Sequence, residues 1–169
     1  ICKLGINGKF LNIIQSIYET TTNSLIYKDS IGAKFTSNTG VKQGDILSTI
    51  PFNLYINDIP NTITCEKNYP IYSGNTVSLS CLKYAGDLVI ISTSKDGLQE
   101  CLNSLETYCD KWKLEINYKK TKCVTFSKGN QKENFQFNIG DHNLDNVVHY
   151  KYLGLTINKK GSFYQLLKT

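Results

Sequence analysis

The 169-residue sequence contains no methionine and no arginine, one tryptophan and only three prolines. It has no apolar run of about eighteen residues or more and no apolar leader at its start, so neither a membrane span nor a secretion signal is predicted. Because natural proteins normally begin with methionine and this chain begins with Ile1, we expect it to be part of a longer protein. Its length is sufficient for one domain with a hydrophobic core.

The six cysteines include no Cys-x-x-Cys pair, and His142 and His149 are spaced for neither a zinc finger nor a helical histidine pair. A structural metal site is therefore not expected. Scattered cysteines without a secretion signal are typical of a reducing compartment. We expect free, buried thiols and an intracellular protein of the cytoplasm or nucleus.

All basic residues are lysines, and the net charge is +5. Lysine meets phosphate as a point charge, whereas arginine grips it through a planar fork. Seven lysines lie between Lys111 and Lys132, where the one acidic residue is Glu115. This basic segment has the charge to attract nucleic acid. An ordinary solvated lysine-rich surface would have the same composition.

Apolar residues at spacings of three and four predict amphipathic helices. The first extends from about Gly8 to Glu19, and a second from Ile46 to Ile59, where Pro60 ends it and Pro51 falls in its first turns. A third helix covers residues 98–112, with Thr93 and Asp96 resembling a capping box. The side chains that we expect this third helix to bury are Leu98, Leu102, Leu105 and Trp112.

Strand patterns are shorter and more scattered. A small hairpin is predicted around residues 25–35, and further strands at residues 114–116, 123–126, 135–139 and 152–157. Residues 61–80 are polar and suggest a loose connection. Because helices and strands mix without regular alternation, the predicted fold class is α+β, with an antiparallel sheet of three or four strands and helices packed on one face.

Residues 82–92 form an apolar stretch that carries a single carboxylate, Asp87. Runs rich in valine, isoleucine and leucine and bounded by glycine and serine predict buried strands. Gly86 and Asp87 are turn-forming residues, which places Asp87 at the tip of a hairpin in the centre of the sheet. Taken alone, this stretch favours an Asp87 that has no role beyond the turn.

Four stretches, in this order along the chain, resemble the reverse transcriptases encoded by non-LTR retrotransposons. Residues 40–48, continuing into 52–59, are similar to the family's loop and helix beneath the template and the incoming nucleotide. Residues 84–88 are similar to its Tyr-Ala-Asp-Asp-Leu hairpin. The third stretch is similar to the family's palm segment after the next helix, and consists of Trp112-Lys113-Leu114 with Asn117 and Lys120-Thr121-Lys122. The fourth, Tyr152-Leu153-Gly154, is similar to the hairpin that grips the primer.

The resemblance implies a partial reverse transcriptase domain over residues 1–169, comprising the palm and part of the fingers. Such enzymes are RNA-directed DNA polymerases that extend a DNA primer on an RNA template with dNTPs. Two Mg²⁺ ions about 3.5–4 Å apart clamp the attacking and leaving oxygens, and protein carboxylates hold the ions. In the family, one aspartate comes from an early strand and another is the first aspartate of the hairpin.

This chain departs from the family pattern at both metal ligands. Gly86 replaces the first hairpin aspartate and leaves Asp87 at the second, less demanding position, since adjacent strand residues face opposite ways. Nothing in the first eight residues resembles the early aspartate-bearing strand, and the thumb should lie beyond Thr169. We therefore expect Mg²⁺ not to be bound productively and this copy to be inactive.

Six positions are carried over as site candidates. Asp87 matches a metal-binding and catalytic position, and Lys120 the lysine that protonates the departing pyrophosphate. Substrate-binding positions are matched by Gln43, Gly44, Tyr84 and Lys122. The alternatives are ordinary ones: a helix-entry turn explains Gly44 but not Gln43, a surface lysine explains Lys120, and a half-buried strand tyrosine explains Tyr84.

Three interpretations remain open at this point. The chain is a segment of a decayed reverse transcriptase, a nucleic-acid-binding module kept without catalysis, or a genomic remnant without function. Upstream sequence separates them most directly, because an intact aspartate-bearing strand in an uninterrupted frame favours the first and stop codons favour the last.

Overall fold

The computed structural model describes residues 5, 7–19, 21–36, 40, 44–63, 69–73, 75–126, 135–161 and 163–164. The chain divides into two compact units, Ile1–Asn57 and Asp58–Thr169. Within the described residues, no helix combines the length and the hydrophobicity that crossing a bilayer requires.

The first unit begins with helix α1, Gly8–Glu19, which has the predicted bounds. None of its residues is buried, however, and Phe10 and Ile13 are 58% and 56% accessible. Two nested antiparallel pairs follow, so the predicted hairpin is confirmed. The outer pair consists of β1, Thr22–Asn23, and β4, Phe35–Thr36. The inner pair consists of β2, Ile26–Tyr27, and β3, Ser30–Ile31.

Helix α2 covers Ile46–Tyr55 and is shorter than predicted. A separate short helix, α3, covers Ile59–Thr62 and opens the second unit. Pro60 occupies the first turn of α3, where its missing N–H breaks no helical bond, so it begins this helix instead of ending the previous one. Pro51 lies inside α2 beyond the first turn and removes one bond from its interior.

The segment predicted to be a loose connection contains a hairpin. Strand β5, Tyr69–Ser73, pairs with β6, Asn75–Leu79, in antiparallel register from Tyr69 opposite Leu79 to Ser73 opposite Asn75. The polar residues concealed it, although aromatic and β-branched residues recur through both strands, as strands favour.

The next hairpin carries the predicted central stretch. Strand β7, Cys81–Tyr84, pairs with β8, Asp87–Ile90, and Ile91 N–H extends the ladder to the Ser80 carbonyl at 2.8 Å. Among the described strands, β7 and β8 pair with each other alone, so the prediction of a three- or four-stranded sheet centred on them is wrong. The preceding strands β5 and β6 pair with each other instead, so neither of them extends the β7–β8 hairpin into a larger sheet.

Helix α4, Lys95–Trp112, packs against α3 and against strand β10, Phe137–Ile139. Its N-cap is Ser94, one residue after the predicted Thr93, and the Ser94 hydroxyl accepts the Gly97 N–H at 3.1 Å. Lys113 ends the helix in the left-handed region with φ 54°, and the next N–H, that of Leu114, reaches the Cys109 carbonyl at 2.9 Å.

The buried face of α4 differs in part from the prediction. Leu102 and Leu105 are buried as expected, whereas Leu98 and Trp112 are only partly covered. Tyr108, which was not predicted, is 2% exposed and donates its hydroxyl proton to Asp58 Oδ1 at 2.5 Å. Six residues of the helix are buried: Gly97, Cys101, Leu102, Leu105, Tyr108 and Cys109.

The last part of the chain forms two three-stranded sheets. In the first, β10 pairs antiparallel with β11, His142–Asn146, which pairs in parallel with β9, Lys122–Cys123. The second is an antiparallel meander of β12, His149–Tyr152, β13, Leu155–Asn158, and β14, Phe163–Tyr164. Residues 114–116 are not a strand, because the Schellman-type turn at Lys113 redirects the chain into loop.

The observed class is α+β, with four helices and several small, mostly antiparallel sheets in the described part of the chain. Gln99 joins α4 to β10, because its side-chain amide both donates to the Asn138 carbonyl at 2.8 Å and accepts the Asn138 N–H at 3.2 Å. The buried residues of β10 and β11, Phe137, Ile139 and Leu144, extend the core from α4.

The cysteines follow the prediction only in part. Cys81, Cys109 and Cys123 are free thiols, but Cys101 is disulfide-bonded, so the expectation of free thiols is wrong there. Burial raises the pKa of Cys123 to about 11, and burial together with the nearby Asp110 charge raises that of Cys109 to about 11. These two thiols are therefore chemically inert near neutral pH.

Candidate active site

The hairpin β7–β8 presents Asp87 beside its turn. The turn residues are Ala85 and Gly86, and Asp87 is the first residue of β8, directly opposite Tyr84. Asp87 thus lies one position beyond the predicted tip. Ala85 has φ 48°, an uncommon conformation for a residue with a side chain. A Cβ atom added at Gly86 would meet no atom within 4 Å, so this position has room for a larger side chain.

Tyr84 and Asp87 are cross-strand neighbours, so their side chains emerge on the same face of the hairpin. Tyr84 is 62% exposed and Asp87 is also exposed. Both residues are therefore accessible to a ligand at this end of the hairpin.

A third residue, Tyr152, lies near this pair. Burial raises the pKa of the Tyr152 hydroxyl, and the negative charge of Asp87 raises it further because it disfavours the phenolate. Tyr152 precedes a tight turn in which Leu153 and Gly154 both have positive φ, 47° and 87°. Tyr152 therefore lies within range of the Asp87 charge, an association that sequence spacing alone did not reveal.

The glycine-containing loop lies in the first unit. Gly40 and Gly44 have φ 84° and 85°, in the left-handed region that glycine adopts more readily than other residues. Gln43 lies outside the described residues.

A hydrogen-bond network fixes the chain where this loop enters α2. Asp45 caps the helix by accepting the Leu47 N–H at 3.0 Å and the Ser48 hydroxyl at 2.7 Å. Tyr18 of α1 lies 3.1 Å from the Ser48 hydroxyl and 3.5 Å from Asp45 Oδ2. The Asp45 carboxylate, next to Gly44 in the sequence, therefore caps the N-terminus of α2.

Lys120 lies in a turn between α4 and β9. Its backbone N–H donates to the Asn117 carbonyl at 3.0 Å, and its own carbonyl accepts the Tyr150 hydroxyl at 3.1 Å. These bonds hold the backbone of the turn, while the Lys120 side chain is exposed. Lys122, in contrast, forms an ion pair of 2.5 Å with Asp145 Oδ2.

The exposed lysines of the basic segment are Lys111, Lys113, Lys119 and Lys120 among the described residues, and the ammonium group of Lys111 lies 5.5 Å from the centre of the Trp112 ring. Lys128 and Lys132 lie outside the described residues. This part of the surface is not uniformly basic. A cleft of about 310 Å³ has a partly acidic lining, composed of Glu106, Cys109, Asp110, Leu114, Glu115, Ile116 and Tyr118.

The metal-binding capacity of the hairpin is limited by its donors. Asp87 is the one acidic residue of the sequence from Cys81 to Ile90, and the neighbouring Tyr84 and Tyr152 carry phenols instead of the carboxylates that Mg²⁺ prefers. Among the described residues, no group of three or more His, Cys, Asp or Glu side chains is arranged to hold a metal ion. The described residues around Asp87 therefore do not fit a pair of Mg²⁺ ions.

Residues 3–157 match the family model described as reverse transcriptase (RNA-dependent DNA polymerase). Because this match covers most of the chain, the protein belongs to the reverse transcriptase family. The identification made from the four sequence stretches is thereby confirmed.

Individual relatives are transposon proteins. The chain is 26% identical over 94% of its length to the probable RNA-directed DNA polymerase from transposon BS of Drosophila melanogaster. It is 28% identical over 90% of its length to the Retrovirus-related Pol polyprotein from type-2 retrotransposable element R2DM of the same species. To the RNA-directed DNA polymerase from mobile element jockey, also of that species, it is 26% identical over 73% of its length. The matches span 18%, 15% and 13% of these relatives.

Proposed function

We propose that the chain is the palm, with part of the fingers, of a non-LTR retrotransposon reverse transcriptase, over residues 1–169. The family match and the named RNA-directed DNA polymerases among its relatives support this assignment. The activity of the whole protein would be extension of a DNA primer on an RNA template, with dNTPs and Mg²⁺.

We further propose that this chain does not polymerise DNA. The observation that carries this proposal is the Ala85–Gly86 turn, which has no carboxylate where the family places its first hairpin aspartate. Asp87 alone cannot hold two Mg²⁺ ions against their mutual repulsion. Loss of a mere supporting partner of a metal ligand already costs about ten- to a hundredfold in affinity or activity, and loss of a direct ligand should cost more.

The site residues would have the following roles in the intact enzyme. Tyr84 would pack beside the primer end, on the same face as Asp87. Gln43 and Gly44 would contact the template base pair and the incoming nucleotide. Lys120 would donate a proton to the departing pyrophosphate, and its exposed side chain is free to reach a bound substrate.

Nucleic-acid binding is the function that this chain would retain without catalysis. The exposed side chains of Lys113, Lys119 and Lys120 lie within about ten residues of one another along the chain and favour contact with phosphates. Lysine contacts to the backbone carry little sequence information, so the expected binding of RNA or RNA–DNA hybrid is weak, salt-sensitive and nearly sequence-independent.

The test is the salt dependence of hybrid binding, measured by fluorescence anisotropy with a labelled RNA–DNA hybrid. Replacing Lys119, Lys120 and Lys122 with alanine should reduce the slope of log affinity against log salt by about 0.9 for each phosphate that the variant no longer neutralises. The matched control replaces three exposed lysines of the first unit and removes the same charge: Lys9, Lys28 and Lys34. An equal change of slope in both triple variants would contradict a specific role for the basic segment.

A further inference from the structure

Lys122 differs from the neighbouring lysines of the basic segment. Among the described lysines between Lys111 and Lys132, it is the one whose ammonium group forms an ion pair, at 2.5 Å from Asp145 Oδ2. The Lys122 side chain is 22% exposed and the Asp145 side chain is 73% exposed, so Asp145 is the more solvent-accessible member of the pair.

Backbone pairing sets the position of this ion pair. Lys122 of β9 is in register with Asp145 of β11, and Cys123 is in register with Asn146. The Val147 N–H continues the ladder to the Cys123 carbonyl at 2.9 Å. Because Cys123 is buried and adjacent strand residues face opposite ways, Lys122 is directed away from the core. The ion pair is therefore held by two ordered strands.

We propose that Asp145 competes with a nucleic-acid phosphate for Lys122 and thereby lowers the affinity of the basic segment. This inference rests on the proposed function, since it assumes that the segment binds phosphates. A phosphate oxygen and the Asp145 carboxylate are both acceptors for the same ammonium group, and the negative carboxylate both neutralises the Lys122 charge and repels an approaching phosphate, so it weakens phosphate binding there. Lys122 then binds a phosphate, and Asp145 determines the affinity of that contact.

The expected effect is modest because the competing pair is partly exposed. Ion pairs of this kind contribute little in water, and removing one competitor should raise hybrid affinity by about 1.5- to 5-fold. Lys122 would then neutralise one further phosphate, which should steepen the salt slope by up to about 0.9 for duplex and about 0.7 for a single strand.

A purely structural role makes a different prediction. If the ion pair only joined β9 to β11, Asp145→Asn would lower the stability of the fold and leave hybrid affinity unchanged. Circular dichroism and urea denaturation of each variant measure the first effect, and anisotropy at two salt concentrations measures the second.

The experiment uses the full chain with the labelled RNA–DNA hybrid and four variants: Asp145→Asn, Lys122→Gln, the double variant, and Asp141→Asn. Asp141 is the matched control, because it is an exposed aspartate in the turn before the same strand. We expect Asp145→Asn to bind more tightly than Asp141→Asn. We expect that increase in affinity to disappear when Lys122→Gln is also present.

Four outcomes would overturn the inference. Equal increases in affinity in Asp141→Asn and Asp145→Asn would show that the removal of any nearby negative charge raises the affinity, without a specific role for the ion pair. An increase that persists in the double variant would exclude Lys122 as the phosphate-binding residue. Wild-type binding with an unchanged Asp145→Asn would contradict the inference alone, whereas no binding by any variant would contradict the proposed function and the inference together.

Discussion

The hydrogen bond from Tyr108 to Asp58 joins α4 to the start of α3, and Tyr108→Phe tests how much it stabilises the second unit. The substitution keeps the ring, which is 2% exposed, and removes only the hydroxyl that lies 2.5 Å from Asp58 Oδ1. Hydrogen bonds to charged groups contribute about 1.5–3 kcal/mol. Asp58 is exposed and regains water when the hydroxyl is removed, so we expect the cost to lie at the lower end of that range.

Urea denaturation followed by circular dichroism measures this cost as a lower midpoint with an unchanged slope. In a thermal scan, the melting temperature should fall by about 2–4 °C for each kcal/mol. Tyr118→Phe is the matched control, because Tyr118 keeps its stacking on His142, at 3.9 Å between ring centroids, when its exposed hydroxyl is removed. Equal effects of the two substitutions would refute a specific contribution from the Tyr108 bond.

Two further predictions concern stability. Gly161→Ala should lower the stability more than Gly86→Ala, because Gly161 has φ 74° whereas Gly86 lies outside the positive-φ region, and a Cβ at either position would meet no atom within 4 Å; equal urea midpoints would contradict this. Stability should be greatest below pH 9 and fall as the pH rises towards 11, because folding raises the pKa of Cys109 and Cys123 from 9.0 to about 11 and unfolding then releases protons. Replacing both cysteines with alanine should flatten this decline in urea midpoints measured across that range.

Elements with strong local periodicity could be predicted from the sequence. Helix α1 has the predicted bounds because its apolar residues repeat every three to four positions, and α4 follows the same rule over 18 residues. The cap of α4 was misplaced by one residue, since Thr93 and Ser94 are both good capping residues and only the backbone geometry selects Ser94.

Features that depend on distant pairing were not predictable. The parallel pairing of β9 with β11 joins residues 23 positions apart, as at Lys122 and Asp145, and no local pattern encodes it. The hydrogen bond from Tyr108 to Asp58 similarly joins residues that are 50 positions apart.

The roles assigned to the candidate site residues stay predictions, and the structure adds how some of these residues are arranged. The motif of residues 84–88 identified Asp87 and the missing carboxylate at Gly86. The one-residue shift of the turn to Ala85–Gly86 and the proximity of Tyr152 to Asp87 emerged only in three dimensions.

Primer extension tests most directly whether this reverse transcriptase chain lacks polymerase activity because of its missing carboxylates. A DNA primer annealed to an RNA template is incubated with dNTPs and Mg²⁺, and three proteins are compared: the chain itself, Gly86→Asp, and Gly86→Asp joined to an upstream segment with the family's aspartate-bearing strand. The Gly86 position has room for the new side chain, because no atom lies within 4 Å of a Cβ added there. We expect no extension by the first two proteins and extension by the third, in which both ligands are restored. Extension by the unmodified chain would contradict the proposal.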